Sequence, residues 1–301
     1  MVIPLTNQML LIILSYVNRI NKVPKESGQA GPTWAYLLFK GNIVAIDFSI
    51  EAQGVAVITI NRPEARNALD QQHYDLLSDA WRTVRDDDNI KVAIITGAGN
   101  QAFCAGADLK TFLAAPPSLA ALMRTQDSQL LNRGLEIWKP VVAAVNGYCV
   151  GGGMTLLLAT DIRVSAEHAR FGLSEVQRGA FPANGGTQRI SQQLPHAIAM
   201  EILLIGDQFD AQTASRWGLV NQVVASQDVM PAARAYALRL AANAPLAVQA
   251  AKELAVRSRD VDLATGLRME QLFLRLLQDS NDIKEGAAAF SEKRPPQFQG
   301  Q

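Results

Sequence analysis

The sequence predicts an α/β core followed by a helical C-terminal section. Two observations carry that expectation. Short β-branched or wholly apolar runs recur at residues 55–60, 92–96 and 141–145, separated by stretches of helical periodicity. Beyond Gly186 the pattern turns mostly helical.

Val55-Ala56-Val57-Ile58-Thr59-Ile60 is short and β-branched and reads as a strand, broken by Asn61-Arg62-Pro63-Glu64. Asp70 is placed to cap a helix whose Tyr74, Leu77, Trp81 and Val84 form an apolar stripe. Asp86-Asp87-Asp88 ends that helix in solvent. Consecutive helical residues do not face one another, so the triplet reads as a solvated turn rather than a metal site. The run at 92–96 is apolar throughout and is expected to be buried on both faces. A long loop follows, then a helix over about 118–138, then the strand at 141–145. Gly151-Gly152-Gly153 opens a short apolar helix over 154–159, and 162–164 is a further strand. Helices are expected over 197–204, 211–217, 231–242, 245–256, 263–277 and 283–290. The sequence shows no internal repeat.

Composition narrows the function. Hydrophobic residues make up 49% of 301 residues, enough for a sizeable core. Lys+Arg and Asp+Glu both number 28, and no basic run stands out, which argues against nucleic acid as a partner. Cys104 and Cys149 are far apart in sequence, so neither a disulfide framework nor a zinc site is expected. His73, His168 and His196 are scattered and read as surface or satisfied core residues.

Residues 1–43 are set apart as an extension, disordered or arising from a start placed too early. Met9-Leu10-Leu11-Ile12-Ile13-Leu14 is too short to span a bilayer, and no basic residue precedes it as a secretory signal requires. Glu26 is the one acidic residue up to Asn42, against Arg19, Lys22, Lys25 and Lys40, which leans toward a transit peptide, although serine and arginine are sparse. The expected location is therefore the cytoplasm, or the mitochondrial matrix if the extension is a real transit peptide, with no membrane partner.

Four segments could carry chemistry. Gly97-Ala98-Gly99-Asn100-Gln101-Ala102 follows a strand but shows no helix signal after its glycines, so it reads as a turn rather than a dinucleotide site. Ala105-Gly106-Ala107-Asp108-Leu109-Lys110 and Asn146-Gly147-Tyr148-Cys149-Val150-Gly151-Gly152-Gly153 each follow a buried strand, and their small residues can present free N–H donors to a ligand. Two N–H groups converging on one oxygen would form an oxyanion hole, worth ~3 kcal/mol per donor. Glu175, in Phe171-Gly172-Leu173-Ser174-Glu175-Val176, lies in an apolar stretch where burial would raise its pKa toward general-base work.

The order of these segments, with Asn61-Arg62-Pro63-Glu64-Ala65-Arg66-Asn67-Ala68-Leu69 before them and Gly185-Gly186-Thr187-Gln188-Arg189 after them, resembles the crotonase (enoyl-CoA hydratase/isomerase) family. The resemblance implies a crotonase-like spiral of ββα units over 44–240 and a helical trimerisation region over 241–301, assembled as a homotrimer or hexamer. It implies an acyl-CoA substrate and no separate cofactor or metal, coenzyme A being part of the substrate. By motif position, Ala107 and Gly152 would supply the oxyanion donors and Glu175 the acid/base. Ala65, Ala105, Ala107, Asp108, Leu109, Lys110 and Gly152 would line the acyl-CoA site, with Lys293 pairing a CoA phosphate. The family's hydratases carry a second glutamate where this chain has Thr155, whose hydroxyl can orient a water but cannot trade a proton near neutral pH. Hydration and double-bond isomerisation both stay open, as does binding of acyl-CoA without catalysis.

Overall fold

The structure is a computed structural model, and it describes residues 45–108 and 130–301. The sequence assignments at Leu109 and Lys110, the first part of the helix expected over about 118–138, and the extension lie outside the described residues. The chain divides into two compact units. One spans Val44–Ala242, and the described part of the other is Asn243–Gln301.

In the first unit, strands β1 (Ile46–Glu51), β2 (Val55–Ile60), β3 (Val92–Gly97), β5 (Val141–Val145), β7 (Ile162–Ala166) and β10 (Gln222–Val224) form one sheet in the order β1-β2-β3-β5-β7-β10. Only β1 and β2 pair antiparallel; the others pair parallel. Strands β3 and β5 are buried along their whole length, as continuous apolar runs require in a sheet covered on both faces. Helix α1 (Gln71–Asp86) is capped by the Asp70 carboxylate, which accepts from the His73 N–H. It buries Leu77, Trp81 and Val84.

A second sheet runs β4 (Ala102–Cys104), β6 (Tyr148–Val150), β8 (Arg170–Gly172) and β9 (Phe209–Asp210). Three successive strands of the first sheet are each followed by a short strand of the second: β3 by β4, β5 by β6, β7 by β8. This is the repeated ββ step of the expected spiral, present in structure although the sequence shows no repeat. Asn146 ties the crossings together. Its side-chain oxygen accepts from the Gly97 N–H at 3.2 Å, and its amide donates to the carbonyls of Gly97 at 2.8 Å and Gly99 at 2.7 Å. The glycine-rich turn at Gly97 therefore leads into β4, not into a helix.

Helices α2 (Gly152–Leu157), α3 (Gly186–Gln193), α4 (His196–Ile205), α5 (Ala211–Arg216) and α6 (Val229–Ala241) complete this unit. Helix α6 buries Ala233, Ala237 and Ala241 and lies on β3, β5 and β7. In the second unit, α7 (Pro245–Arg257) and α8 (Leu263–Leu277) pack through Ala250 and Phe273. The buried carboxylate of Asp282, on α9 (Asn281–Glu292), accepts from the N–H groups of Gln299 and Gly300 and so holds the C-terminal tail.

One expectation is corrected, and several elements were not foreseen. The helix expected to 138 does not reach it: the described part holds a single 3-10 turn, Leu131–Arg133, ended by left-handed Gly134, and then extended chain to β5. Leu135, Ile137 and Trp138 are buried from an extended segment, and their apolar spacing mimicked a helix face. The short strands β4, β6, β8, β9 and β10, the first strand β1 and helix α3 also had no forecast.

Candidate active site

The loop after β4 is gripped by the Asn61–Leu69 segment. Asn67, buried in the left-handed region at φ 56°, donates to the carbonyls of Ala98 and Ala102. The Ala105 N–H donates to Arg66 O at 3.1 Å, the Leu69 N–H to Gly106 O at 2.8 Å, and the Asp108 N–H to Leu69 O at 2.8 Å. Leu69 and Ala107 thereby form a parallel bridge. In such a bridge the flanking residues make the bonds, so the Ala107 N–H itself points to the opposite side. The guanidinium of Arg62 fixes the end of the loop through the Asp108 carboxylate at 3.0 Å.

The loop after β6 lies on that opposite side. The Gly151 N–H donates to Gly172 O on β8 at 3.0 Å, and the first helical bond of α2 runs from the Thr155 N–H to Gly151 O at 3.0 Å. The N–H of Gly152 therefore precedes the helical ladder and lacks a helical acceptor. The Thr155 bond also polarises the peptide whose N–H is that of Gly152. The two loops touch. A methyl on Gly106, where φ is +91°, would stand 2.8 Å from Gly152 N, and one on Gly152 would stand 3.4 Å from Ala107 N. Among the described residues, neither Ala107 N–H nor Gly152 N–H has a backbone acceptor. Two adjacent donors without acceptors can hold one oxygen atom.

Glu175 opens a 3-10 turn, Glu175–Arg178, three residues after β8. Because β8 also receives the Gly151 N–H, the carboxylate lies against the second loop: a methyl on Gly151 would stand 3.5 Å from Glu175 Oε1. Oε2 is buried with no hydrogen-bond partner among the described residues. Burial raises the pKa of this carboxyl, and the Arg178 charge opposes that only in part. A buried carboxylate oxygen with no partner among the described residues thus lies beside the second donor loop.

Thr155 is buried, and its hydroxyl is engaged. It donates to Gly152 O at 3.0 Å and accepts from the side-chain amide of Asn132 at 3.1 Å. Its methyl faces Gly186, where a Cβ would stand 2.9 Å away. One lone pair remains for a water. Asn132 had no sequence signal, since it lay in a segment that read as helix. Arg189 donates to Asn132 O at 2.9 Å and so braces the same wall from α3.

The remaining sequence candidates fall as follows. Ala65 and Ala105 are half-buried on the gripping segment and on the loop it grips. Asp108 is committed to Arg62 through its side chain. Lys293 caps α9 in the left-handed region, exposed, in the other unit. Cys104 and Cys149 are register partners on β4 and β6, three residues before Ala107 and Gly152 respectively. Both are free and buried, and burial pushes the Cys104 thiol up to about 12, so they serve as packing, not nucleophiles.

Comparison with known proteins settles the family. The profile described as "Enoyl-CoA hydratase/isomerase" matches residues 51–301. This chain belongs to the enoyl-CoA hydratase/isomerase family. Among its relatives, (E)-benzylidenesuccinyl-CoA hydratase of Thauera aromatica is 42% identical over 82% of this chain and 96% of its own length. The 2,3-dehydroadipyl-CoA hydratase of Escherichia coli is 40% identical, with the same coverages of 82% and 96%. The crystal structure of an enoyl-CoA hydratase from Mycobacterium marinum superimposes with a TM-score of 0.79 at 38% identity, covering 85% of this chain and 99% of that one. The crotonase-like fold is thereby established, and the chain is an enzyme of this hydratase and isomerase family. No helix among the described residues is long and apolar enough to cross a membrane.

Proposed function

We propose that this enzyme holds the carbonyl oxygen of an enoyl-CoA thioester between the N–H groups of Ala107 and Gly152 and uses Glu175 as its acid/base. The observation that carries this reading is the position of Glu175: one carboxylate oxygen beside Gly151, the other buried and unpaired, next to the free N–H of Gly152. Withdrawal of charge into the two donors stabilises the enolate that forms when the neighbouring carbons react.

For hydration, the Glu175 carboxylate takes a proton from water, the hydroxide oxygen bonds to the β-carbon, and the double-bond electrons move to the enolate. Glu175 then returns the proton to the α-carbon. Water has added, and Glu175 is regenerated. Thr155 contributes the lone pair left on its hydroxyl to orient that water. The relatives named as hydratases support this outcome. One observation favours isomerisation instead: the Thr155 hydroxyl proton is already given to Gly152 O, and a shuttle that moves a proton between two carbons needs no water.

Ala65, Ala105, Asp108, Leu109 and Lys110 line the acyl-CoA path in this reading, and Lys293 is assigned to a CoA phosphate. Assembly as a homotrimer is supported by apolar side chains left in solvent on the C-terminal unit, among them Leu263 at 77% and Phe290 at 88% exposure. The activity is tested by adding purified protein to crotonyl-CoA and following the absorbance of the conjugated thioester. Loss of that absorbance supports hydration. No loss, together with formation of the same chromophore from a 3-enoyl-CoA, selects isomerisation. Silence in both assays, and with enoyl thioesters carrying a second carboxylate, removes the catalytic reading and leaves acyl-CoA binding alone.

A further inference from the structure

Arg133 follows Asn132 directly in the wall behind Thr155. Its Nε donates to the side-chain oxygen of Asn184 at 3.0 Å, and its guanidinium carbon lies 5.1 Å from the centroid of the Tyr74 ring. Asn184 is itself fixed, held at φ 55° with its carbonyl accepting from Arg189 at 3.2 Å. The arginine is thus fastened from two sides and half-buried, yet among the described residues no Asp or Glu pairs with it. Other arginines held inside the structure are matched differently. Arg62 has Asp108, Arg257 has Glu253, and buried Arg163 is surrounded by carbonyls. A half-buried, fastened cation with no anion among the described residues can take one from a ligand, because desolvating a charge is costly unless it is paired.

Tyr74 adds a second group. Its hydroxyl has no hydrogen-bond partner among the described residues, and burial keeps the phenol protonated, with a pKa pushed up to about 12. It is a neutral O–H donor beside a guanidinium fork, the pair that suits a carboxylate. Its electrostatic neighbours include Cys104, the last residue of the strand that leads into the first donor loop, and Arg133, the neighbour of Asn132 in the Thr155 wall.

We propose that Arg133, with Tyr74, binds a second carboxylate carried by the acyl group, so that the preferred substrates are thioesters of dicarboxylic acids. The inference rests on the reading of Ala107 and Gly152 as the thioester site. A CoA phosphate would satisfy the same cation chemically. The position argues for the acyl end, since Arg133 is joined through Asn132 to Thr155, on the side where the β-carbon reacts in the proposed scheme.

The test uses saturated thioesters, which are not turned over, so it stands apart from the catalytic assays. Equilibrium binding is measured for adipyl-CoA against hexanoyl-CoA and for succinyl-CoA against butyryl-CoA. Each pair shares its CoA, and phosphate contacts cancel. The carboxylated member of at least one pair is expected to bind ten-fold or more tighter. In Arg133→Gln that ratio falls to about one, in Arg133→Lys part of it survives, and in Tyr74→Phe it drops several-fold. Equal binding within both pairs in the unmodified enzyme overturns the proposal. So does equal weakening of both members in Arg133→Gln, which would assign the arginine to CoA phosphate. If carboxylate preference is found while the 2-enoyl and 3-enoyl thioesters of the matching dicarboxylic acid also stay untouched, the catalytic reading fails and this one stands.

Discussion

Glu175 lies over Gly151, the residue immediately before the second free N–H donor, and nothing among the described residues hydrogen-bonds its inner carboxylate oxygen. Two separate constraints produce that relationship. Strand β8 receives the Gly151 N–H, which draws the two segments together, and the 3-10 turn that begins at Glu175 follows β8 by three residues, within reach of Gly151. The contact is therefore set by sheet pairing, and its consequences can be measured one residue at a time.

Gly152→Ala places a methyl 3.2 Å from Gly106 Cα and 3.4 Å from Ala107 N. The two loops must shift by a few tenths of an ångström, which spreads the donors. A loss of about 10²–10³ in kcat is expected, with much less change in KM, as for loss of one oxyanion donor. Steady-state kinetics on the best substrate decides it. A kcat within two-fold of the unmodified enzyme would remove Gly152 from the reacting centre.

The raised pKa of Glu175 has a sign that can be tested through stability. The folded state holds the proton more tightly than the unfolded chain, so this group favours folding at low pH. That contribution is present below the ordinary glutamate pKa and is lost as pH rises through the raised folded value. Glu175→Gln should therefore unfold at a higher temperature than the unmodified protein at pH 7–8. The difference should shrink as pH falls toward the glutamate range. Thermal unfolding at pH 8 and pH 5 is the measurement, and a lower Tm for the variant at pH 8 would contradict the burial of an unpaired carboxylate.

Thr155→Val keeps the shape of the side chain and removes its hydroxyl. Gly152 O loses its donor in a part-buried setting, and the Asn132 amide its acceptor in a buried one. A loss of about 1–3 kcal/mol is expected in chemical denaturation. If Thr155 also orients water, hydration slows while exchange of the α-proton with deuterated solvent continues. Parallel loss of both rates would confine Thr155 to a structural part.

Arg163 tests the scaffold rather than the chemistry. Its buried guanidinium donates to the carbonyls of Leu219, Thr160 and Leu158 and to the Gln193 side chain, and burial lowers its pKa to about 10. Arg163→Met leaves those acceptors unpaired and should cost about 3–5 kcal/mol by urea unfolding, the range for breaking a buried charged network. A change below ~1 kcal/mol would mean that waters replace the guanidinium.

The sequence was most readable where periodicity was strong. Strands β3 and β5 are apolar from end to end, and Asp70, Leu77 and Trp81 mark helix α1 by cap and stripe. Both donor loops were visible because glycines follow those strands. What was missed was short or borrowed its shape from elsewhere. Strands β4, β6 and β8 have three residues each, too few for alternation to register, so the donor loops were expected directly after β3 and β5, one strand too early. Asn132 and Arg133 sit in a 3-10 turn whose surroundings carry helical spacing, and Asn184 takes a left-handed conformation that its residue type permits but does not announce. Those three gain meaning only from partners about 20 to 60 positions away in the chain.

The central claim is that one carboxylate, Glu175, carries the proton for a thioester held by Ala107 and Gly152. The measurement that tests it most directly is turnover by Glu175→Gln beside its equilibrium binding of a saturated acyl-CoA. The account predicts a fall in kcat of at least ~10³, of the order expected when the only acid/base is lost, with thioester binding retained. Turnover within ten-fold of the unmodified enzyme, with binding intact, would contradict it and move the proton to another group.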